Sequence, residues 1–145
     1  MKNLLNAIKA ELQTDLTYVR DGDIYVTEDL RLVPDAVRFP AVGLKDGAIS
    51  YAIETQNQEE DTLDVDIVAY VELRKPETSI MGDSSAGKKG VLDIITDVVT
   101  SLKGNTLSGQ ADVAVPVSET PSELLADENT AIQMKTITMR YSRYD

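Results

Sequence analysis

Neither cysteine nor histidine occurs in this chain. The first absence excludes disulfides, thiolate nucleophiles and zinc-finger sites. The second removes the side chain that most often serves as a general base near neutral pH. Any catalysis would have to rest on carboxylates, lysines and hydroxyls alone. Long apolar runs are missing too, since nothing approaches the ~20 residues that a spanning helix needs. The opening Met1-Lys2-Asn3-Leu4-Leu5-Asn6-Ala7-Ile8-Lys9 is broken by Asn6 and Lys9. It therefore reads as the first helix of the fold and not as a signal peptide. No membrane partner is expected, and synthesis and residence in a cytoplasm are the expectation. Basic residues are the scarce charge: 14 Lys and Arg stand against 25 Asp and Glu, for a net charge of −11. Affinity for nucleic-acid backbones comes from Lys and Arg displacing counterions, so sequence-specific nucleic-acid binding is not expected.

What is present suits one globular domain over residues 1–145, with 42% hydrophobic and 27% charged residues and enough length for a real core. The charge is uneven. The first half is acidic, whereas Lys135, Arg140 and Arg143 make the last strand mildly basic, a polarity that suits association between copies or a plain solvated face.

Leu4, Leu5, Ile8 and Leu12 recur at helical spacing and predict an amphipathic first helix. Asp21-Gly22-Asp23 turns the chain into a short strand around Ile24 and Val26. The stretch from Thr27 to Val37 has no assignable pattern, and Pro34 argues against helix or central strand there. Phe39 to Leu44 reads as a strand, Lys45-Asp46-Gly47 as a hairpin turn, and Ala48 to Ile53 as the returning strand. The polar stretch Gln56 to Asp61 is expected to be a loop or frayed strand end. Leu63 to Leu73 alternates almost without a fault, with Leu63, Val65, Ile67, Ala69, Val71 and Leu73 on one face. Asp64, Asp66 and Glu72 face the other way, with Val68 and Tyr70 between them. The strand exceeds the usual length of roughly 5–6 residues, so its end is expected to overhang the sheet and pair with a neighbouring subunit.

After Lys75-Pro76 a glycine- and serine-rich loop leads to Gly90. Val91, Ile94, Ile95, Val98, Val99 and Leu102 then form the strongest helical stripe, stopped by Gly104. Strands follow at Ala111 to Val117 and Ala131 to Tyr141. Between them, Thr120-Pro121-Ser122-Glu123 carries capping-box spacing and predicts a short helix through Ala126. The last strand changes phase: Ile132 and Met134 lie on one parity, Ile137, Met139 and Tyr141 on the other. A bulge near Lys135 or Thr136, or burial on both faces, would produce that. The order predicts an α+β fold, one mostly antiparallel sheet with two main helices on one face.

Two constellations invite a chemical reading. Gly82-Asp83-Ser84-Ser85-Ala86-Gly87-Lys88-Lys89 has the glycine and lysine spacing of a phosphate-binding loop. Lys89 stands where magnesium needs a hydroxyl, the loop starts well after its strand, and no later strand supplies the acidic magnesium partner. A flexible exposed loop is the better reading. The carboxylates Glu59, Glu60, Asp61, Asp64 and Asp66 crowd one strand end, but the calcium-loop pattern and its glycine are missing, so no metal and no cofactor are expected. No serine, lysine or tyrosine has the spacing of an activated nucleophile, so no enzymatic role is expected.

The leading Leu4-Leu5-x-x-Ile8-x-x-x-Leu12 helix is followed by the Phe39-Pro40-Ala41-Val42 strand and the long alternating strand. Then come the glycine-rich loop ahead of Gly90-Val91-Leu92-Asp93-Ile94-Ile95 and the closing Leu102-Lys103-Gly104-Asn105-Thr106-Leu107. In this order of elements the chain resembles the tail terminator (tail completion) proteins of long-tailed bacteriophages, over nearly its full length. The resemblance implies a virion protein of the tail or neck, a homo-oligomeric ring typically of six subunits. Such a ring caps the tail tube, stops its polymerisation and meets the head–tail connector, while DNA passes through its channel unbound. It carries over no catalytic residue. Another neck or head–tail joining protein, an acidic inhibitor that mimics DNA, and a small P-loop enzyme are the alternatives. An acidic wall would keep DNA from sticking as it slides. Glu59, Glu60, Asp61, Asp64 and Asp66, or Glu77 and Asp83 in the loop that also holds Lys88 and Lys89, are the residues expected at such a surface. That loop is expected to be mobile in the free protein and ordered against a partner.

Overall fold

The computed structural model describes residues 1–55, 58–73, 75–126 and 131–144. Its elements run α1 (Lys2–Asp15), a 3₁₀ turn (Asp21–Asp23), β1 (Ile24–Val26), β2 (Ala41–Thr55) and β3 (Gln58–Glu72). They continue α2 (Pro76–Met81), α3 (Val91–Leu102), β4 (Val113–Glu119), β5 (Glu123–Ala126) and β6 (Ala131–Tyr144). One six-stranded sheet has the order β1-β2-β3-β6-β4, with β5 also paired to β6. Only β1 and β2 run parallel; the other pairings are antiparallel. The expected α+β architecture is present.

α1 and α3 pack together on one face. The stripe Leu4, Leu5, Ile8 and Leu12 of α1 and the stripe Val91, Ile94, Ile95, Val98 and Leu102 of α3 are buried. Beneath them lie Leu63, Val65, Ile67, Ala69 and Val71 of β3 and Ile137, Met139 and Tyr141 of β6. α3 is rich in β-branched residues that form isolated helices poorly, so burial against this sheet holds it.

The opposite face carries a second core that the strand pattern only hinted at. Ala41, Val68, Tyr70, Ile132 and Met134 are buried there under Leu30, Val33, Val37 and Phe39. The patternless stretch after β1 is thus an arm laid across the sheet. It has little regular structure because side chains, not backbone ladders, attach it. Tyr70 stacks on Tyr25 with ring centroids 6.4 Å apart, and its hydroxyl donates to the Leu30 carbonyl. This second core explains the phase change in β6. The β3–β6 register runs without a shift from Glu60↔Tyr144 to Glu72↔Ile132, so burial on both faces, not a bulge, is the cause.

Three expectations are corrected. Lys45-Asp46-Gly47 is no hairpin turn, because β2 continues through it and pairs with β3 on both sides. The register shifts between Asp46 and Ile49, and a Cβ on Gly47 would sit 2.8 Å from the Asp64 carbonyl oxygen. Asp-Gly here marks a bulge pressed against the neighbouring backbone. Thr120 to Ala126 is no helix. The Thr120 hydroxyl accepts from the Thr136 N–H (3.1 Å) and its own N–H donates to the Thr136 carbonyl (2.9 Å), after which β5 pairs along β6. The open flank of β6 beyond β4 offered ladder bonds that outweighed the capping signal. The loop after Lys75 contains α2, whose first position is Pro76. Of the stretch expected as a loop or frayed strand end from Gln56 to Asp61, residues 58–61 are the first residues of β3, the strand-end alternative; Gln56 and Asn57 lie outside the described residues.

The two most buried tyrosines separate two uses of a hydroxyl. Tyr141 is fully buried and its hydroxyl has no partner among the described residues. An orphaned buried hydroxyl costs about 1–3 kcal/mol, so Tyr141→Phe is expected to be neutral or to stabilise by about 1 kcal/mol. Tyr70→Phe strips the bond to Leu30 and is expected to destabilise by about 1 kcal/mol. Urea midpoints of the two variants check this; a loss at Tyr141 matching that at Tyr70 contradicts the geometry.

Candidate interaction surfaces

The phosphate-loop segment is a closed turn that supplies its own anion. Asp83 and Lys88 face each other as an isolated antiparallel bridge, with N–H to carbonyl bonds of 2.9 Å in both directions. One Asp83 carboxylate oxygen accepts from the Ser85 N–H (3.2 Å), the Ser85 hydroxyl (2.7 Å) and the Ala86 N–H (3.3 Å). The Ser85 hydroxyl first, and then the Ala86 N–H, hold that carboxyl below its usual range. In a phosphate loop such N–H groups point at the nucleotide; here the carboxylate occupies them.

Lys89 is committed elsewhere. Its Nζ lies 3.2 Å from Asp97 of α3 and 5.2 Å from the centre of the Tyr18 ring. The Tyr18 hydroxyl donates to the same Asp97 carboxylate at 2.6 Å. Burial, and then Asp97, push the Tyr18 hydroxyl far above its ordinary pKa, so it is no acid or base near neutrality. Tyr18, Lys89 and Asp97 form a clasp that ties the turn to the α1–α3 layer. Sequence reading passed over Tyr18 and Asp97 because the partners are far apart in the chain.

The carboxylates of β3 divide by strand alternation. Asp64 and Asp66 face away from the helices, whereas Glu59 and Asp61 share the parity of the buried Leu63. Asp64 takes a two-pronged ion pair from Arg140, at 2.9 and 3.1 Å, and Asp66 accepts from the Thr138 hydroxyl at 2.6 Å. Asp61 lies 3.8 Å from Arg143. The basic character of the last strand is therefore spent on the neighbouring acids, because β6 runs antiparallel to β3 in that register. Lys135 likewise donates to the Thr120 carbonyl, 2.6 Å away. Glu77 sits in the first turn of α2. β3 puts several residues between Asp66 and its own end at Glu72, roughly 20 Å at the usual rise per residue. Its acidic end and the Glu77–Lys89 segment therefore do not form one site.

Among the described residues no group of three acidic side chains could hold a metal ion, and no helix is long and apolar enough to cross a membrane. A shallow cleft of about 310 Å³ lies between the arm and β5, walled by Leu32, Val33, Phe39, Leu125 and Ile132 with Arg31 at its mouth. Asp35 lines it as well, so the cleft is mixed in character, and no nucleophile and base converge on it. What the surface does offer is strand edge: Ile49, Tyr51 and Ile53 on β2 and Val113, Val115 and Val117 on β4 are exposed.

No family model matches the chain, and no curated protein matches it. Among solved structures it is similar to a chain described as "Virion of native gene transfer agent (GTA) particle". The TM-score is 0.58 at 14% sequence identity, covering 98% of this chain and 95% of that one. At that identity the likeness is one of fold, and it spans the whole chain.

Proposed function

We propose that this chain is a structural protein of a tailed, phage-like particle, acting as the tail terminator. Copies close into a ring, six in number, that sits on the last ring of the tail tube, stops its growth and receives the head–tail connector. The observation that carries the reading is the end-to-end likeness to a virion chain. The self-filled phosphate-loop turn and a cleft with no nucleophile and base converging on it support a protein that works by surfaces. It is made in the host cytoplasm and resides in the virion.

DNA passes through the ring without specific contacts, along a wall to which we assign the Glu59–Asp66 end of β3. The Glu77–Asp83 segment is the alternative wall; its Asp83 carboxylate is held by its own turn, as Asp64 is by Arg140. Particles made without this chain are expected to carry tails of uncontrolled length and to lack joined heads in electron micrographs. Tails of normal length that join heads normally would overturn the assignment. A ring reconstruction placing residues 59–66 on its outer surface would remove the channel-wall part alone.

A further inference from the structure

The two edges of the sheet are treated in opposite ways. On one side β4 is blunted: the Ala114 carbonyl already accepts from the Gly104 N–H at 2.9 Å, and Pro116 has no N–H to offer. On the other side β1 covers β2 only from Val42 to Leu44, and Thr27 closes the end of that pairing on the Leu44 carbonyl. Past that point, β2 has no described neighbour except β3. This long edge contains no proline, and Ile49, Tyr51 and Ile53 are 40%, 67% and 81% exposed along it. Proteins that stay single blunt such edges with lysine, proline or a covering element. A bulge interrupts β2 between Asp46 and Ile49, but from Ile49 to Ile53 the edge pairs regularly with β3 and has none of these.

The composition of that edge says what fits it. In a chain of net charge −11, Gly47-Ala48-Ile49-Ser50-Tyr51-Ala52-Ile53 has no charged residue. Its apolar and small residues also read alike in both directions about Tyr51. Laid antiparallel on a copy of itself, Ile49 meets Ile53, Ser50 meets Ala52, and Tyr51 meets its own counterpart. Each large side chain faces another large one and no like charges oppose.

We propose that free copies of this chain pair through the β2 edge, antiparallel and about a two-fold axis at Tyr51, joining two six-stranded sheets into one. Such a contact is isologous and does not by itself close a six-fold ring, so the pairing belongs to the chain before assembly and does not rest on the ring reading. It hides the open edge of β2 while the protein is in solution.

The absence of cysteine makes the register directly testable. Residues facing each other across an antiparallel pair have Cα atoms about 4.5–5.5 Å apart, within the roughly 4.4–6.8 Å that a disulfide spans. Position 51 alone would face itself; two copies of position 53 would lie about 14 Å apart at the usual rise per residue. Under mild oxidation Tyr51→Cys is expected to form a covalent dimer at least tenfold faster than Lys103→Cys, an exposed position far from the edge. Ile53→Cys is expected to react at the Lys103→Cys rate. Light scattering on the unmodified protein is expected to show a dimer, and Tyr51→Lys, which sets two like charges face to face, to weaken it at least tenfold. Three results would each overturn the proposal: a chain that stays monomeric at its highest soluble concentration, an oligomer unaffected by Tyr51→Lys, or Tyr51→Cys cross-linking no faster than Lys103→Cys.

Discussion

Replacing Gly90 with alanine is expected to lower stability by about 3 kcal/mol, at the upper end of the cost of forcing added volume into a packed site. For a chain of this size that is a melting temperature lower by roughly 6–12 °C. Gly90 precedes α3, and its backbone lies against the end of α2. A Cβ there would fall inside the Ile80 carbonyl and the Gly82 N–H, backbone groups with no freedom to swing aside. Gly82 has φ +83° and ψ 172°, a conformation that glycine alone adopts readily. The Gly90 N–H donates to Asp93 at 3.0 Å and so starts α3. The two glycines let the end of one helix touch the start of the next. Gly87 supplies the control. It has φ +67° but open space where a Cβ would go, so Gly87→Ala is expected to cost only about 1 kcal/mol. Thermal melts followed by circular dichroism compare the two; equal shifts would mean that close approach at Gly90 is not the cause.

Asp23→Ala is expected to cost about 2 kcal/mol at neutral pH, the net worth of hydrogen bonds to a charged group. The residue is 2% exposed. Its carboxylate takes the Arg20 guanidinium at 2.7 and 3.1 Å and the Arg38 N–H at 3.1 Å, tying the 3₁₀ turn to the far end of the arm. Arg20 above all, with the Arg38 N–H adding, holds this carboxyl below its usual range against the opposing effect of burial. A depressed carboxylate contributes its stability above the unfolded-chain value near 4 and loses it as pH falls through the folded value. The stability difference between the parent and Asp23→Ala is therefore expected to be largest above pH ~4 and to shrink in more acid solution. Denaturant titrations at several pH values read this out, and a difference constant down to pH ~2 would contradict it. Amide exchange in the arm is expected to speed up in the variant, because Arg38 loses its anchor.

Elements with a strong internal period were legible before folding. The stripes of α1 and α3 and the alternation of β3 each put one kind of residue on one face, and a buried face is all that such a pattern encodes. Signals that depend on what lies opposite were not. Asp46-Gly47 reads equally as a turn or a bulge, and only the continuous pairing of β2 with β3 selects the bulge. Thr120-Pro121-Ser122-Glu123 has the spacing of a helix start, yet β6 had an open flank that took the segment as strand. The arm over the second core has no period to detect, since Leu30, Val33, Val37 and Phe39 reach the sheet one by one.

The candidate surfaces divide in the same manner. The phosphate-loop spacing is visible in the string, and so is its poor fit, since Lys89 stands at the hydroxyl position and the strand ends well before the loop. That Asp83 fills the loop and that Lys89 is clasped by Tyr18 and Asp97 needed distant residues to meet. The acidic crowd of β3 was equally visible, but its pairing with Arg140 and Arg143 follows from strand register.

Composition and local period by themselves determined the class of fold, the two helices and the central strand, and the lack of thiol and imidazole chemistry. These depend on which residues are present and how they repeat, and a chain carries that information before it folds. Tertiary structure alone decided which charges are spent on one another, which glycines are pressed against backbone, and which strand edge is left open. Each of those is a relation between segments far apart in the chain, set only when the sheet takes its register.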